Sequence, residues 1–169
     1  MMTMSAVEQV LLYDLLQLYS LQRHDFMNHW QVIMGNLQLQ QPEKALAYMR
    51  ETVIAQEQEQ KITLLHEPVL AAILLGLIIS LQQEGIMANL EFPEGMKKDG
   101  YWRDHWRKDY ADGLYGYTRE CLEVSLQAQH LINVTAEVYL FEEPGGLSCQ
   151  VILEDETTVL FDKMLTLTI

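Results

Sequence analysis

Basic residues are scarce in this chain: 11 lysines and arginines stand against 24 acids, for a formal charge of −13 over 169 residues. A nucleic-acid binder needs a net basic footprint, so that class is set aside. An acidic surface suits a dissolved chain whose partners carry basic patches. Cysteine is nearly absent. Cys121 and Cys149 form no CxxC pair and no metal cluster, and two lone thiols fit a reducing, cytoplasmic chain in which both are small buried residues. Long apolar runs are also missing. The most apolar stretch, Val69 to Leu81, has 13 residues, whereas a membrane span needs about 20, so it reads as a buried helix. The first residues, Met1-Met2-Thr3-Met4-Ser5, carry no basic region ahead of an apolar core, and no secretion signal is expected. What is present is apolar content, 49%, enough for packed cores in one domain or two small ones.

The pattern along the chain begins with a long amphipathic helix. Advancing about 100° per residue from His24, the residues Leu12, Leu15, Tyr19, Phe26, Trp30, Ile33 and Leu37 gather on the far side. Gln17, Ser20, His24, Asn28, Gln31, Gly35 and Gln38 gather on the near side. The split runs from Ser5 to Leu39, roughly 50 Å of helix, with Gln22 and His29 at the margins of the apolar arc. Pro42 suits the first turn of a second helix, in which Leu46, Met49 and Val53 continue the apolar line. The short connection at Gln40-Gln41 predicts an antiparallel hairpin. Two helices cannot enclose so wide an apolar face, and pairing with a second copy into a four-helix bundle is the simplest remedy, so a homodimer is expected.

The composition changes after Ile62. A third helix starts at Glu67-Pro68 and stops near Glu84-Gly85. A strand follows over Ile86–Phe92, closed by Pro93, and then a loop to Tyr101. Trp106, Tyr110, Leu114, Tyr117, Cys121, Val124 and Ala128 recur at helical spacing, despite Gly113 and Gly116. Ile132 to Leu140 alternates as a strand, Pro144-Gly145-Gly146 makes a turn, Leu147 to Leu153 alternates again, and a last strand covers Thr157–Ile169. The expected fold class is α+β: a helical hairpin over residues 1–64, then a small α/β sandwich over residues 65–169.

The candidate site is the segment Arg23-His24-Asp25-Phe26-Met27-Asn28-His29. Neutral imidazole is a good nucleophile toward phosphorus, and the free side chain is mostly neutral at pH 7. Phosphoryl transfer needs in-line access and charge stabilisation more than covalent machinery, and a histidine projecting from a rigid helix offers that access. Asn28, one turn on, shares the face of His24. Asp25 is displaced by about 100° and flanks the site, where it can accept a hydrogen bond from the ring and fix its tautomer, or meet a lysine or metal on a partner. A metal site is disfavoured: His24 and His29 diverge by about 140° around the helix, and there is no HExxH. A phosphohydrolase of the HD type needs further histidines, one of them upstream, and none precedes His24.

Arg23-His24-Asp25-Phe26-Met27-Asn28-His29, with Gln31-Val32-Ile33 and Gly35-Asn36-Leu37-Gln38-Leu39, resembles the phosphoacceptor helix of the sporulation initiation phosphotransferase B family. It is also similar to the related helix of sensor histidine kinases for citrate and dicarboxylates. Glu67-Pro68-Val69-Leu70-Ala71-Ala72-Ile73-Leu74-Leu75-Gly76 resembles the first helix of those kinases' ATP-binding domain, and Glu84-Gly85-Ile86 the approach to its next strand. The likeness covers Leu12 to Phe92; beyond that it is one of element order. It implies a dimeric four-helix bundle carrying two acceptor histidines, with a C-terminal domain shaped like a degenerate kinase ATPase domain. By motif position His24 is the phosphorylated residue, Asp25 the adjacent acid and Asn28 the polar residue one turn later. The family moves a phosphoryl group from the aspartate of one receiver domain to its histidine, and then to the aspartate of a second receiver.

A kinase of that kind needs an asparagine-rich helix for Mg²⁺ and an Asp-x-Gly-x-Gly stretch. In their place stand Arg103-Asp104-His105-Trp106-Arg107-Lys108-Asp109-Tyr110, without asparagine, and the pair Gly145-Gly146, which reads as a hairpin turn. There is no Walker-type loop. Only 23 residues precede His24, so neither a sensor domain nor a span is expected ahead of it. The expectation is therefore a cytoplasmic histidine phosphotransferase of a bacterial phosphorelay, in sporulation control, with response-regulator receivers as partners. It binds no cofactor of its own; Mg²⁺ comes with the receiver. A non-catalytic dimeric module that binds and regulates a kinase or response regulator is the alternative, and a kinase with hidden ATP binding a third. Lys97 to Lys108 interleaves five basic residues with Tyr101, Trp102 and Trp106, an anchor-like composition; its tryptophans are expected to pack inward.

Overall fold

The computed structural model describes residues 4–169. Helix α1 (Ala6–Gln38) opens on a capping box. The Ser5 hydroxyl accepts from the Glu8 N–H at 3.2 Å, and the Glu8 carboxylate accepts from the Ser5 N–H at 2.6 Å. The helix stops where Gln40 turns left-handed (φ 57°), and Pro42 begins α2 (Pro42–Ile62) at its first position. Cross-links at His29–Tyr48 and Gln22–Glu59 show the two helices running antiparallel, as the short turn requires.

The connection between the hairpin and the rest is short. A short 3₁₀ turn, Thr63–Leu65, and a left-handed His66 lead into α3 (Pro68–Gln83), where the Glu67 carboxylate accepts the Val69 N–H at 3.2 Å. Ile62 and Leu65 are buried in the same core as α3 and the sheet. The 13-residue run read as a buried helix is one: Leu70, Ile73, Leu74, Leu77, Ile78 and Leu81 are almost wholly enclosed.

The sheet has the order β1-β2-β3-β4, formed by β1 (Met87–Glu91), β2 (Thr135–Glu143), β3 (Gly146–Glu154) and β4 (Val159–Leu167). Strand β1 runs parallel to β2, and the crossover carries α4 (Tyr101–His105) and α5 (Tyr110–Gln127). The remaining pairs are antiparallel, so the architecture is α+β with helices on one sheet face. Period-2 alternation sends Ala136, Val138, Leu140, Cys149, Val151 and Leu153 into the core. Gly145 takes φ 68° in the β2–β3 loop, and a Cβ on Gly146 would sit 1.8 Å from the Leu167 carbonyl oxygen; the glycine pair is the tight turn expected, with no room for larger residues. The Tyr117 hydroxyl bridges β3 and β4, accepting from the Val151 N–H and donating to the Lys163 carbonyl, both at 2.6 Å.

Three expected boundaries move, the last strand shortening from 157–169 to Val159–Leu167 as Thr157 and Thr158 turn on the Asp155 carboxylate. Trp106 is extended (φ −115°, ψ 134°) and lies between α4 and α5 rather than in the long helix. Its ring packs edge-on against Tyr110 at 5.9 Å, so the four-residue spacing came from shared packing and not from a common helix. Ile132 is 80% exposed and precedes a left-handed Asn133, which delays the strand to Thr135. The tryptophan expectation holds: Trp102 is buried and donates its indole N–H to the Met96 carbonyl at 3.1 Å. Lys97 and Arg107 are paired with Glu94 and Asp109.

Helix α2 also closes the free edge of the sheet. The Leu90 N–H, which faces away from β2, donates to Gln58 Oε1 at 2.8 Å, and Lys61 Nζ donates to the Leu90 carbonyl at 3.2 Å. An open strand edge is a site of unwanted pairing; here hairpin side chains occupy it and dock the two parts together.

Candidate functional site

Helix α1 has three faces, and their phases place each candidate residue. One face carries Val7, Leu11, Asp14, Leu18, Gln22, Asp25 and His29 at 3–4 spacing, and meets the rest of the chain. Leu11 is buried, and Leu18 Cδ1 lies 3.8 Å from the Cβ position of Gly76 on α3. Asp14 accepts from the Tyr115 hydroxyl at 2.9 Å and from Arg119 at 2.7 Å, both on α5. A second face, with Leu12, Tyr19, Phe26, Trp30 and Leu37, continues onto α2 through Leu46, Met49 and Val53. These eight residues are 42–60% exposed, an apolar stripe larger than single chains ordinarily leave to water. His24 and Asn28 lie on the third face, toward solvent.

The three site residues read from the sequence are brought together. His24 is 74% exposed at its side chain. Asn28 Nδ2 lies 3.2 Å from His24 Nδ1, as one-turn spacing requires. Asp25 Oδ1 lies 3.7 Å from the same ring nitrogen. Both neighbours thus sit on the Nδ1 side, and among the described residues nothing hydrogen-bonds Nε2.

That one-sidedness decides the chemistry. If the Asn28 amide donates to Nδ1, the ring proton sits on Nε2 and that nitrogen has no lone pair to offer. If the amide is turned over, Nδ1–H donates to Asn28 Oδ1, with the Asp25 carboxylate 3.7 Å away, and the Nε2 lone pair points free. Only the second state is nucleophilic at the exposed nitrogen, and a carboxylate beside Nδ1 favours it.

His29 is turned away, as its phase requires. Its Nδ1 meets the Tyr48 hydroxyl of α2 at 2.6 Å, inside the hairpin. Among the described residues no group of three or more His, Cys, Asp or Glu side chains is placed to hold a metal ion, and no helix is long and apolar enough to cross a membrane.

Sequence reasoning missed one neighbour. Gln83, in the last turn of α3, donates Nε2–H to Asp25 Oδ2 at 2.5 Å. Glutamine on an exposed helix end carries no sequence signal for such a role. Tyr115 and Arg119 were missed in the same way, because their partner Asp14 is 101 residues away from Tyr115 along the chain.

Residues 4–65 match the family model described as Sensor_kinase_SpoOB-type, alpha-helical domain. The hairpin, with His24, Asp25 and Asn28, lies inside the match, which ends at Leu65 and leaves α3 and the sheet uncovered. A comparison with curated proteins found no match. The helical part is therefore similar to the alpha-helical domain of Spo0B-type sensor kinases.

Proposed function

We propose that this protein is a histidine phosphotransferase of a bacterial phosphorelay, taking a phosphoryl group from the aspartate of one receiver domain onto His24 and passing it to a second receiver in sporulation control. The observation that carries this is the exposed His24 ring with both polar neighbours, Asp25 and Asn28, on its Nδ1 side, within a Spo0B-type helical domain.

In the transfer step the Nε2 lone pair attacks phosphorus in line with the acyl-phosphate bond. The N–P bond forms, the P–O bond to the receiver aspartate breaks, and the aspartate leaves as a carboxylate. The ring gains positive charge, which is stabilised by Nδ1–H donating to Asn28 Oδ1 and by the negative charge of Asp25, 3.7 Å from Nδ1. No proton leaves the reacting nitrogen, so the reverse transfer uses the same groups. Mg²⁺ belongs to the receiver in this reading, and this chain contributes position and access.

The eight-residue apolar stripe on α1 and α2 supports a homodimer in which two hairpins form a four-helix bundle. His24 stays outside it, because its phase differs from the stripe. The test of the function is catalysis of exchange. With one receiver phosphorylated and a second unphosphorylated, substoichiometric amounts of the protein should speed the movement of label between them. Label that moves no faster than in its absence removes the proposal.

A further inference from the structure

We propose that Gln83 is a positioning residue for His24: it holds the Asp25 carboxylate and thereby makes the C-terminal half of the chain a working part of the phosphoacceptor site. This rests on the phosphotransfer reading given above.

The contact joins two parts of the fold. Asp25 lies on the face of α1 that meets the rest of the chain, while His24 lies on the face toward solvent. Asp25 therefore reaches both. Its Oδ2 accepts from Gln83 Nε2–H at 2.5 Å, and its Oδ1 remains 3.7 Å from His24 Nδ1. A carboxylate on a helix surface would otherwise rotate freely about χ1 and χ2. Anchored at one oxygen, it keeps the other toward the ring.

Gln83 is itself held in place. Its neighbour Gln82 donates Nε2–H to the Ala55 carbonyl of α2 at 3.1 Å. Helix α3 packs under α1 at Gly76 and Leu18, and Gln22 donates to Glu59 across the hairpin at 2.9 Å. Asp14 is tied to Tyr115 and Arg119 at the other end of the same face. The last turn of α3 therefore has a fixed position relative to Asp25.

The consequence is chemical. With Asp25 held beside Nδ1, the proton is kept on that nitrogen and the lone pair on Nε2, the atom that must attack phosphorus. Without Gln83, Asp25 is released, and Nδ1 falls to the Asn28 amide alone. That amide can present either its oxygen or its NH₂ group, and the second choice puts the ring proton on Nε2.

The experiment compares wild type, Gln83→Ala, Asp25→Asn and the double variant, in the full chain. Long-range ¹H–¹⁵N spectra of the histidine rings report the His24 tautomer in the free protein, with no receiver present. The Nδ1–H form should dominate in wild type, and both single variants should shift the ring toward Nε2–H. In transfer from a phosphorylated receiver, Gln83→Ala should lower kcat about tenfold, with KM for the receiver within about twofold. The double variant should be no slower than Asp25→Asn, because Gln83 acts through Asp25. An unchanged His24 tautomer in Gln83→Ala overturns the proposal, even where His24→Ala shows that the histidine is the acceptor. If wild type does not transfer phosphate, the functional reading fails, while the spectra still decide whether Gln83 sets the ring. Gln83 is exposed, so Gln83→Ala should melt like wild type, and a large loss of stability would count against a positioning role.

Discussion

The Tyr115 hydroxyl of α5 donates to Asp14 Oδ2 of α1 at 2.9 Å, and Arg119 Nη2 reaches the same oxygen at 2.7 Å while its guanidinium lies over the Tyr115 ring, 4.9 Å from the centroid. Together with the Gln58 and Lys61 bonds to Leu90, this ties the hairpin to the sheet domain at two separate points. Tyr115→Phe removes the shared hydroxyl but keeps the ring. It should cost about 1 kcal/mol of stability, measured by chemical denaturation, because the hydroxyl both donates to Asp14 and accepts from Arg119. A loss below about 0.3 kcal/mol would show that the tie is carried by Arg119 alone.

Glu59 gives a prediction with a definite sign. Burial raises its carboxyl above the ordinary range, against the opposing hydrogen bond from Gln22. The folded chain therefore keeps this proton at pH values where the unfolded chain has already released it. Its contribution to stability falls as pH rises through the carboxylate range and stays lower above it. Glu59→Gln removes that penalty and can still accept from Gln22. The variant should be more stable than wild type at pH 7, and the gain should fade as pH drops toward 4 and below. A gain equal at all pH values would mean that burial of charge is not the cause.

The two thiols are inert by position. Burial pushes Cys121 up to about 12, with a smaller push from Glu120, and burial pushes Cys149 up to about 12 as well. Both are free and buried. A thiolate-specific reagent at pH 8 should leave the native chain unlabelled, and denaturant should release two equivalents. Rapid labelling of native protein would contradict the packing of α5 on β3.

The apolar stripe predicts oligomeric state. Phe26 and Trp30 pack edge-to-face at 6.0 Å on the exposed side of α1. Wild type should sediment at twice the 19.6 kDa chain mass, and Phe26→Asp combined with Trp30→Asp should sediment as a monomer that retains helical circular dichroism. A monomeric wild type would leave the stripe without its proposed partner.

Much of this was legible in the sequence, for identifiable reasons. The long α1 and the run Val69 to Leu81 have strong periods or strong hydropathy, and the turns at Gln40-Gln41 and Pro144-Gly145-Gly146 have specific chemistry. His24 and Asn28 were readable because a one-turn spacing is local. The face of α1 that meets the rest of the chain was not, because it mixes polar and apolar residues: Val7, Leu11, Asp14, Leu18, Gln22, Asp25 and His29 show no apolar period. Gln83 was invisible for a related reason. It lies 58 residues from Asp25, and only tertiary packing brings its amide to that carboxylate. Trp106 misled because side chains packed on one core can copy helical spacing across a break.

The most direct test of the central claim is transfer of labelled phosphate from a phosphorylated receiver domain, with Mg²⁺, to wild type and to His24→Ala. The account predicts acid-labile, alkali-stable label on wild type and none on the variant, with both proteins folded alike, since the His24 side chain is 74% exposed. Equal labelling of the two proteins would show that His24 is not the acceptor.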